Sequence, residues 1–94
     1  MTALQIAVSH NAPAQRFEAV IDGLLCECTY QINGQVMAIL HTEVPPALGG
    51  RGIAAALVQA ALAWAQQQGL RVDPVCSYVS AYMQRHPDTL PLLA

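Results

Sequence analysis

The sequence predicts an α+β domain, a mixed, mostly antiparallel five-stranded sheet with two helices in the order β-β-β-β-α-β-α. Three observations carry this prediction. Two turn dipeptides, Asp22-Gly23 and Asn33-Gly34, separate segments that alternate apolar and polar residues, the pattern of half-buried hairpin strands. Apolar residues at helical spacing begin just after Gly49-Gly50-Arg51-Gly52. A short apolar segment follows Gly69, and a strand, a helix and a strand in that order imply a right-handed crossover with the two strands parallel.

Taken in order, "LQIAVSH" (4–10) alternates and reads as the first strand. "AQRFEAVID" (14–22) places Phe17, Ala19 and Ile21 on one face, and "LLCECTYQI" (24–32) returns from the Asp22-Gly23 turn. Asn33-Gly34 is a pair that accepts two positive φ angles, so it reads as the next hairpin turn. "QVMAILHTEV" (35–44) is the most continuously apolar segment and reads as a central strand covered on both faces. Pro45 and Pro46 end it, because neither can donate to a ladder.

From Gly50 to Gln68 the spacing predicts a helix. Ile53, Leu57, Ala61 and Trp64 form one stripe, and Val58, Leu62 and Ala65 widen it. Gly69 is its stop, and "LRVDPVC" (70–76) reads as a short strand that Pro74 assigns to an edge or a bulge. Ser77 can cap a last helix, "SYVSAYMQRH", with Val79, Tyr82 and Met83 on one face, before His86-Pro87 stops it. The tail "DTLPLLA" has no periodicity.

The 94 residues suffice for one domain, assigned to 1–94. A net charge of −2 and four arginines scattered along the chain give no electrostatic footprint for nucleic acid. No apolar run approaches the ~20 residues of a membrane span, and the start lacks a basic segment leading into an apolar one. The expectation is a soluble, cytoplasmic protein. Hydrophobic residues make up 54% and charged residues 11%, so some apolar surface should meet a ligand or a second subunit, giving a monomer or weak homodimer. Cys26, Cys28 and Cys76 are odd in number and lack zinc-site spacing. They read as reduced thiols, with no metal expected.

A glycine-rich turn opening a helix presents unpaired N–H groups and the positive end of the helix dipole, which together suit an anion such as a diphosphate. Gly49, Gly50 and Gly52 let the backbone approach, Ala54 and Ala55 keep the first turn small, and Arg51 adds a cation. Neither GxxxxGK[ST] nor GxGxxG is present, which argues against a nucleotide-hydrolysing P-loop and a Rossmann site.

The company the turn keeps points further. A central strand, this turn, a helix and a parallel strand resemble the core of the GNAT acetyltransferase superfamily, whose turn reads Gln/Arg-x-x-Gly-x-Gly/Ala. Residues 49–54 read Gly-Gly-Arg-Gly-Ile-Ala, so Gly52 and Ala54 match while Gly49 stands where Gln or Arg is usual. "RFEAVIDG", "HTEVPPALGGRG" and "PVCSYVSAYMQRHP" in that order look like the small, minimal branch of the family, and the likeness runs from about residue 8 to 90.

That resemblance implies an acetyl-CoA-binding protein that transfers acetyl to an amine of an unidentified acceptor, a protein amine included. Acetyl-CoA or CoA is then the co-substrate. It implies a diphosphate site at Leu48, Gly49, Gly50, Arg51, Gly52, Ile53 and Ala54, with backbone contacts from His41, Thr42, Glu43 and Val44 to pantetheine and the acetyl group. Cys76, ahead of a helix N-terminus, is a candidate acyl-accepting nucleophile, His41 its nearest base, and Glu43 a group that orients His41 or deprotonates the amine. Larger members carry extra helices before the turn and strands after it, so the acceptor side of this chain should be open. Two alternatives stand beside the enzyme: an acyl-CoA-binding module without efficient transfer, and a CoA-independent interaction domain.

Overall fold

The structure, a computed structural model, describes residues 6–94. Its elements follow the predicted order: β1 (Ser9–Asn11), β2 (Arg16–Ile21), β3 (Leu24–Asn33), β4 (Val36–Glu43), α1 (Ile53–Gln67), β5 (Arg71–Pro74) and α2 (Ser77–Arg85), with 3-10 turns at Pro46–Leu48 and Pro87–Leu92. The sheet runs β1-β2-β3-β4-β5, antiparallel except for the parallel β4–β5 pair that α1 connects.

One face of this sheet is built over by both helices. Phe17, Ala19, Cys26, Cys28, Tyr30, Met37, Ile39 and Val72 on the strands share one core with Leu57, Ala61 and Ala65 of α1 and with Val79 and Met83 of α2. The opposite face is bare. Val20 and Leu25, which pair across β2 and β3, are 65% and 41% exposed. The expectation that the 35–44 segment is covered on both faces is therefore corrected. Its continuous apolar run arises because Ala38, on the bare side, is small enough to be shielded by the ladder around it, while Met37 and Ile39 carry the core.

Three further expectations change at the boundaries. Residues 4 and 5 lie outside the described residues, and the first strand starts only at Ser9. Ile6 and Val8 pack against the core without joining a ladder, because alternation reports which side chains are buried and not whether the backbone pairs. The second hairpin turns on Gly34-Gln35, since Asn33 pairs with Val36, and only Gly34 has positive φ. A glycine at the first turn position is the type II′ solution, in contrast to Asp22-Gly23, where both φ angles are positive. Helix α1 begins at Ile53 instead of Gly50, because Gly50 and Gly52 both adopt left-handed φ (78° and 76°).

The tail, aperiodic in sequence, is ordered by tertiary contacts. The 3-10 turn at Pro87–Leu92 packs beside α2, Leu93 bridges β5 at Val72, and Ala94 N–H donates to the Val72 carbonyl at 2.9 Å. Arg71 holds the same segment through a 2.9 Å hydrogen bond to the Pro91 carbonyl.

At the far end of α1, His10, Phe17, Tyr30 and Trp64 form an aromatic box. His10 stacks on Phe17 at 4.2 Å and meets the edge of Trp64 at 4.6 Å. Its Nε2 lies 2.6 Å from the Tyr30 hydroxyl. Burial depresses the His10 pKa, which favours the neutral ring in this hydrogen bond with the phenol.

Candidate functional site

The site is set by an irregularity in β4. Tyr30 pairs with Ile39, yet Thr29 pairs with His41, so Leu40 is an extra residue and the alternation of β4 reverses after it. Before the bulge the odd positions Met37 and Ile39 face the core. After it the even position Thr42 pairs with buried Cys28 and faces the core side, and Val44 follows in the same phase.

His41 and Glu43 are thereby turned to the bare face, His41 opposite Thr29 and Glu43 opposite Glu27. Glu27 in turn pairs with Glu18, and Arg16 bridges these two carboxylates at 3.2 and 3.3 Å. The expected partnership of His41 with Cys76 is corrected on this ground: the bulge separates them onto opposite sides of the sheet.

Parallel strand β5 stops at Pro74, opposite Ile39, and Cys76 N–H makes the last cross-link by donating to the Ile39 carbonyl at 2.9 Å. Beyond this point β4 remains paired to β3 and is free of β5. Cys76, half-buried, sits in the opening as the N-cap residue of α2, one position before the Ser77 expected there. Its sulfur lies 3.7 Å from Thr42 Oγ1, which is 3.8 Å from Cys28 Sγ.

Burial alone would raise the Cys76 thiol. The amides of Val79, Tyr78 and Thr42 and the Thr42 hydroxyl outweigh it and hold the thiol below its ordinary value of 9.0. The α2 amides act through proximity, without a capping hydrogen bond of good geometry. Cys28, fully buried and without such amides, is pushed up to about 11 by desolvation. The two thiols thus differ: Cys76 is the more acidic, and Cys28 is a buried packing residue.

The glycine-rich turn lies where β4 and α1 meet. A hollow of about 260 Å³ is lined by Val44, Leu48, the segment 49–55 and Tyr78. The first helical hydrogen bond is Ala56 N–H to the Gly52 carbonyl, so the amides of Ile53, Ala54 and Ala55 have no partner within the helix. The N-cap Gly52 has no side chain to cap them, and the first turn holds no acidic residue. A positive dipole end and three unspent donors therefore border a concave, small-residue surface, the requirement for an anion.

Gly49 is closed more tightly. Its amide donates to the Pro46 carbonyl at 3.1 Å, and a Cβ there would stand 3.3 Å from that oxygen. Arg51 is committed to Asp22 of the first hairpin turn at 3.0 Å, in an exposed pair. It tethers the glycine-rich turn to the β2–β3 turn as well as adding positive charge.

Of the residues singled out by sequence, the structure gathers Val44, Leu48, Gly49, Gly50, Arg51, Gly52, Ile53 and Ala54 around one hollow. It gathers Thr42 and Cys76 at the strand opening beside it. It sets His41 and Glu43 apart. Ala55, the other small residue of the first turn, joins them, whereas Tyr78 was not among the expected site residues: it is 39% exposed and closes the hollow from α2. The available signal was its position off the Val79–Met83 stripe, where an aromatic residue has no place in the core. Among the described residues no group of three or more His, Cys, Asp or Glu is placed to hold a metal ion, and no helix is long and apolar enough to cross a membrane.

The fold superposes on a GCN5-like protein from Staphylococcus aureus, solved in solution by NMR, with a TM-score of 0.72 and 24% identity, covering 100% of this chain and 91% of that one. The GCN5-related N-acetyl-transferase family profile matches residues 16–92. The chain belongs to this family. It is 32% identical over 88 residues to Protein NATD1 of mouse, covering 87% of this chain and 77% of that protein. Human Protein NATD1 matches at the same identity, and the zebrafish protein at 27% over 89 residues.

Proposed function

We propose that the chain binds acetyl-CoA in the hollow at Leu48–Ala55 and transfers its acetyl group to an amine. The observation that carries this reading is the continuity from anion site to thiol. The open amides of Ile53, Ala54 and Ala55 suit the diphosphate. Val44 leads from the hollow along the free side of β4 to Thr42, and Tyr78 lies in the first turn of the helix that Cys76 caps.

In this reading the pantetheine arm runs along β4 beyond Ile39, where no β5 partner competes for the backbone. The Thr42 amide and hydroxyl, both turned toward the Cys76 sulfur, are positioned to hold the thioester oxygen as negative charge develops on it. The acceptor nitrogen attacks the thioester carbon, a C–N bond forms as the C–S bond breaks, and CoA leaves as a thiol with the proton lost by the amine. Cys76, its thiol depressed, offers a two-step route in which its thiolate first takes the acetyl group and then yields it to the amine. His41 and Glu43 act on neither route from where they stand, though Glu43 borders the bare face from which a large acceptor can approach.

Calorimetric titration with acetyl-CoA, followed by intact-mass detection of an acetyl adduct, tests this. The expected result is binding well below millimolar, that is more favourable than about −4 kcal/mol, and an adduct of one acetyl that is lost in Cys76→Ala. Absence of binding contradicts the reading. Binding without any transfer to model amines reduces the protein to an acyl-CoA-binding module, which the unenclosed acceptor side also suits.

A further inference from the structure

We propose that Cys28, beyond filling the core, is a positioning residue for Cys76: when Cys76 is ionised, the Cys28 thiol donates to Thr42 Oγ1 and holds the Thr42 hydroxyl proton toward the Cys76 sulfur. This rests on the reading of Cys76 as the acyl acceptor, and it adds a residue that touches neither coenzyme nor acceptor.

Groups from three separate elements meet in one chain. Cys28 of β3 pairs directly with Thr42 of β4, and Thr42 in turn meets Cys76 at the start of α2. Thr42 Oγ1 lies 3.8 Å from Cys28 Sγ and 3.7 Å from Cys76 Sγ, so the hydroxyl bridges the two sulfurs. The bulge creates this meeting. Without the extra residue Leu40, Thr42 would point to the bare face. Cys26 provides the contrast: it is as buried as Cys28 and two residues along the same face, and its thiol donates to the Leu24 carbonyl at 3.9 Å. The Cys28 sulfur meets a hydroxyl instead.

Protonation sets the direction of the chain. A hydroxyl carries one proton and two lone pairs, so Thr42 can donate to one sulfur while accepting from the other. With both thiols neutral, Cys76 donates to Oγ1 and the hydroxyl donates to Cys28. Once Cys76 has lost its proton to water at the strand opening, its sulfur can only accept. The Thr42 hydroxyl then turns to donate to it, and a donor behind Oγ1 strengthens that bond. Cys28 is this donor because it keeps its proton: desolvation pushes its thiol up to about 11, and the Cys76 charge acts in the same direction. Both hydrogen bonds reverse, and no proton passes from one sulfur to the other.

Few other titratable groups bear on Cys76. Tyr78 stands beside it on α2, whereas His41 and Glu43 of β4 face the bare side, as does Asp73 of β5 opposite Ala38. Against the burial that would raise the Cys76 thiol, hydrogen bonds alone hold it down, with no charged side chain contributing. A change in one member of the chain is therefore readable in the acidity of Cys76.

The test follows the pH dependence of Cys76 alkylation by iodoacetamide, without coenzyme, by peptide mass mapping. Cys28→Ala should raise the midpoint and slow labelling several-fold at neutral pH, with the limiting rate at high pH unchanged. Cys28→Ser replaces the thiol with a stronger donor and should bring the midpoint to the wild-type value or below. Thr42→Val should raise the midpoint at least as far as Cys28→Ala, and in the Thr42→Val background neither change at Cys28 should move it further. Should Cys28→Ala lack a cooperative urea transition, the serine variant in the two backgrounds carries the same comparison. An unmoved midpoint, a change in the limiting rate alone, or a full shift that persists without the Thr42 hydroxyl would overturn the assignment. Titration with acetyl-CoA separates this from the coenzyme reading: midpoints that move as expected in a protein that binds no acetyl-CoA leave the assignment standing and remove only that reading.

Discussion

On the helix-bearing face of the sheet, Met37 and Ile39 are fully buried and Thr42 sits between two thiols. On the bare face, one residue to either side of Thr42, His41 and Glu43 are exposed, and Glu43 lines up with Glu27 and Glu18 across three strands. One inserted residue, Leu40, decides which of these neighbours belongs to which face. The comparison teaches that chemical suitability is a poor guide to a site when the strand carrying it is not a regular ladder. An imidazole and a carboxylate are stronger acids and bases than a threonine hydroxyl. The threonine nonetheless has the contact with the Cys76 sulfur.

The contrast between the faces can be broken most forcefully through stability. Leu57→Ala removes a fully buried side chain under the covered face and should cost about 2–5 kcal/mol in urea denaturation. Val20→Ala, 65% exposed on the bare face, should stay within about 0.5 kcal/mol. Equal costs would mean that the bare face is covered in solution.

Ligand binding should divide in the same way. Gly52→Val places a β-branched residue at φ 76°, at a strain of about 1–3 kcal/mol, and projects side chain beside the first-turn amides. It should weaken CoA at least roughly tenfold, the equivalent of about 1.4 kcal/mol. Arg51→Ala, which removes an exposed cation already paired with Asp22, should cost less than that tenfold. The reverse order would put the burden of anion binding on the side chain instead of the backbone.

Thiol reactivity sharpens the comparison within the covered side. Alkylation with iodoacetamide, followed by peptide mass mapping, should label Cys76 first, at a rate that rises with pH to a midpoint below 9.0. Cys28, pushed up to about 11 and fully buried, should resist until the chain unfolds. Labelling of both at one rate would remove the distinction drawn between them.

The smallest expected effect is a pH dependence seated in the aromatic box. The folded pKa of His10 lies below its ordinary value of 6.5, so the unfolded chain takes up the proton first as pH falls. Its contribution to stability is present in full above 6.5 and is lost as pH drops through 6.5 toward the folded value. The urea midpoint should fall between pH 7.5 and 5, and His10→Phe should flatten that fall.

Much of the fold was legible in sequence because its signals are local. Asp22-Gly23 has two positive φ angles that few other pairs accept, the Ile53–Ala65 stripe is helical, and Pro45-Pro46 terminates a strand whatever lies beyond. The candidate anion site was legible for the same reason, since Gly50, Gly52 and a helix start are contiguous. What remained hidden depends on partners distant in the chain. The bulge at Leu40 is defined only by the pairing of Thr29 and Tyr30, so the apolar run 36–40 carried no mark of where the alternation reverses. The ordering of 87–94 comes from Val72 and Arg71, and the role of Tyr78 from a glycine turn on another element.

The central claim is that coenzyme binding belongs to the covered side of the bulge. Amide chemical shifts recorded while CoA is titrated into the labelled protein test it directly. The account predicts the largest changes at Gly50–Ala55, with Thr42 and Tyr78 next, and little change at Glu18 and Glu27. Shifts confined to Glu18, Glu27, His41 and Glu43, or no shifts at millimolar CoA, would contradict it.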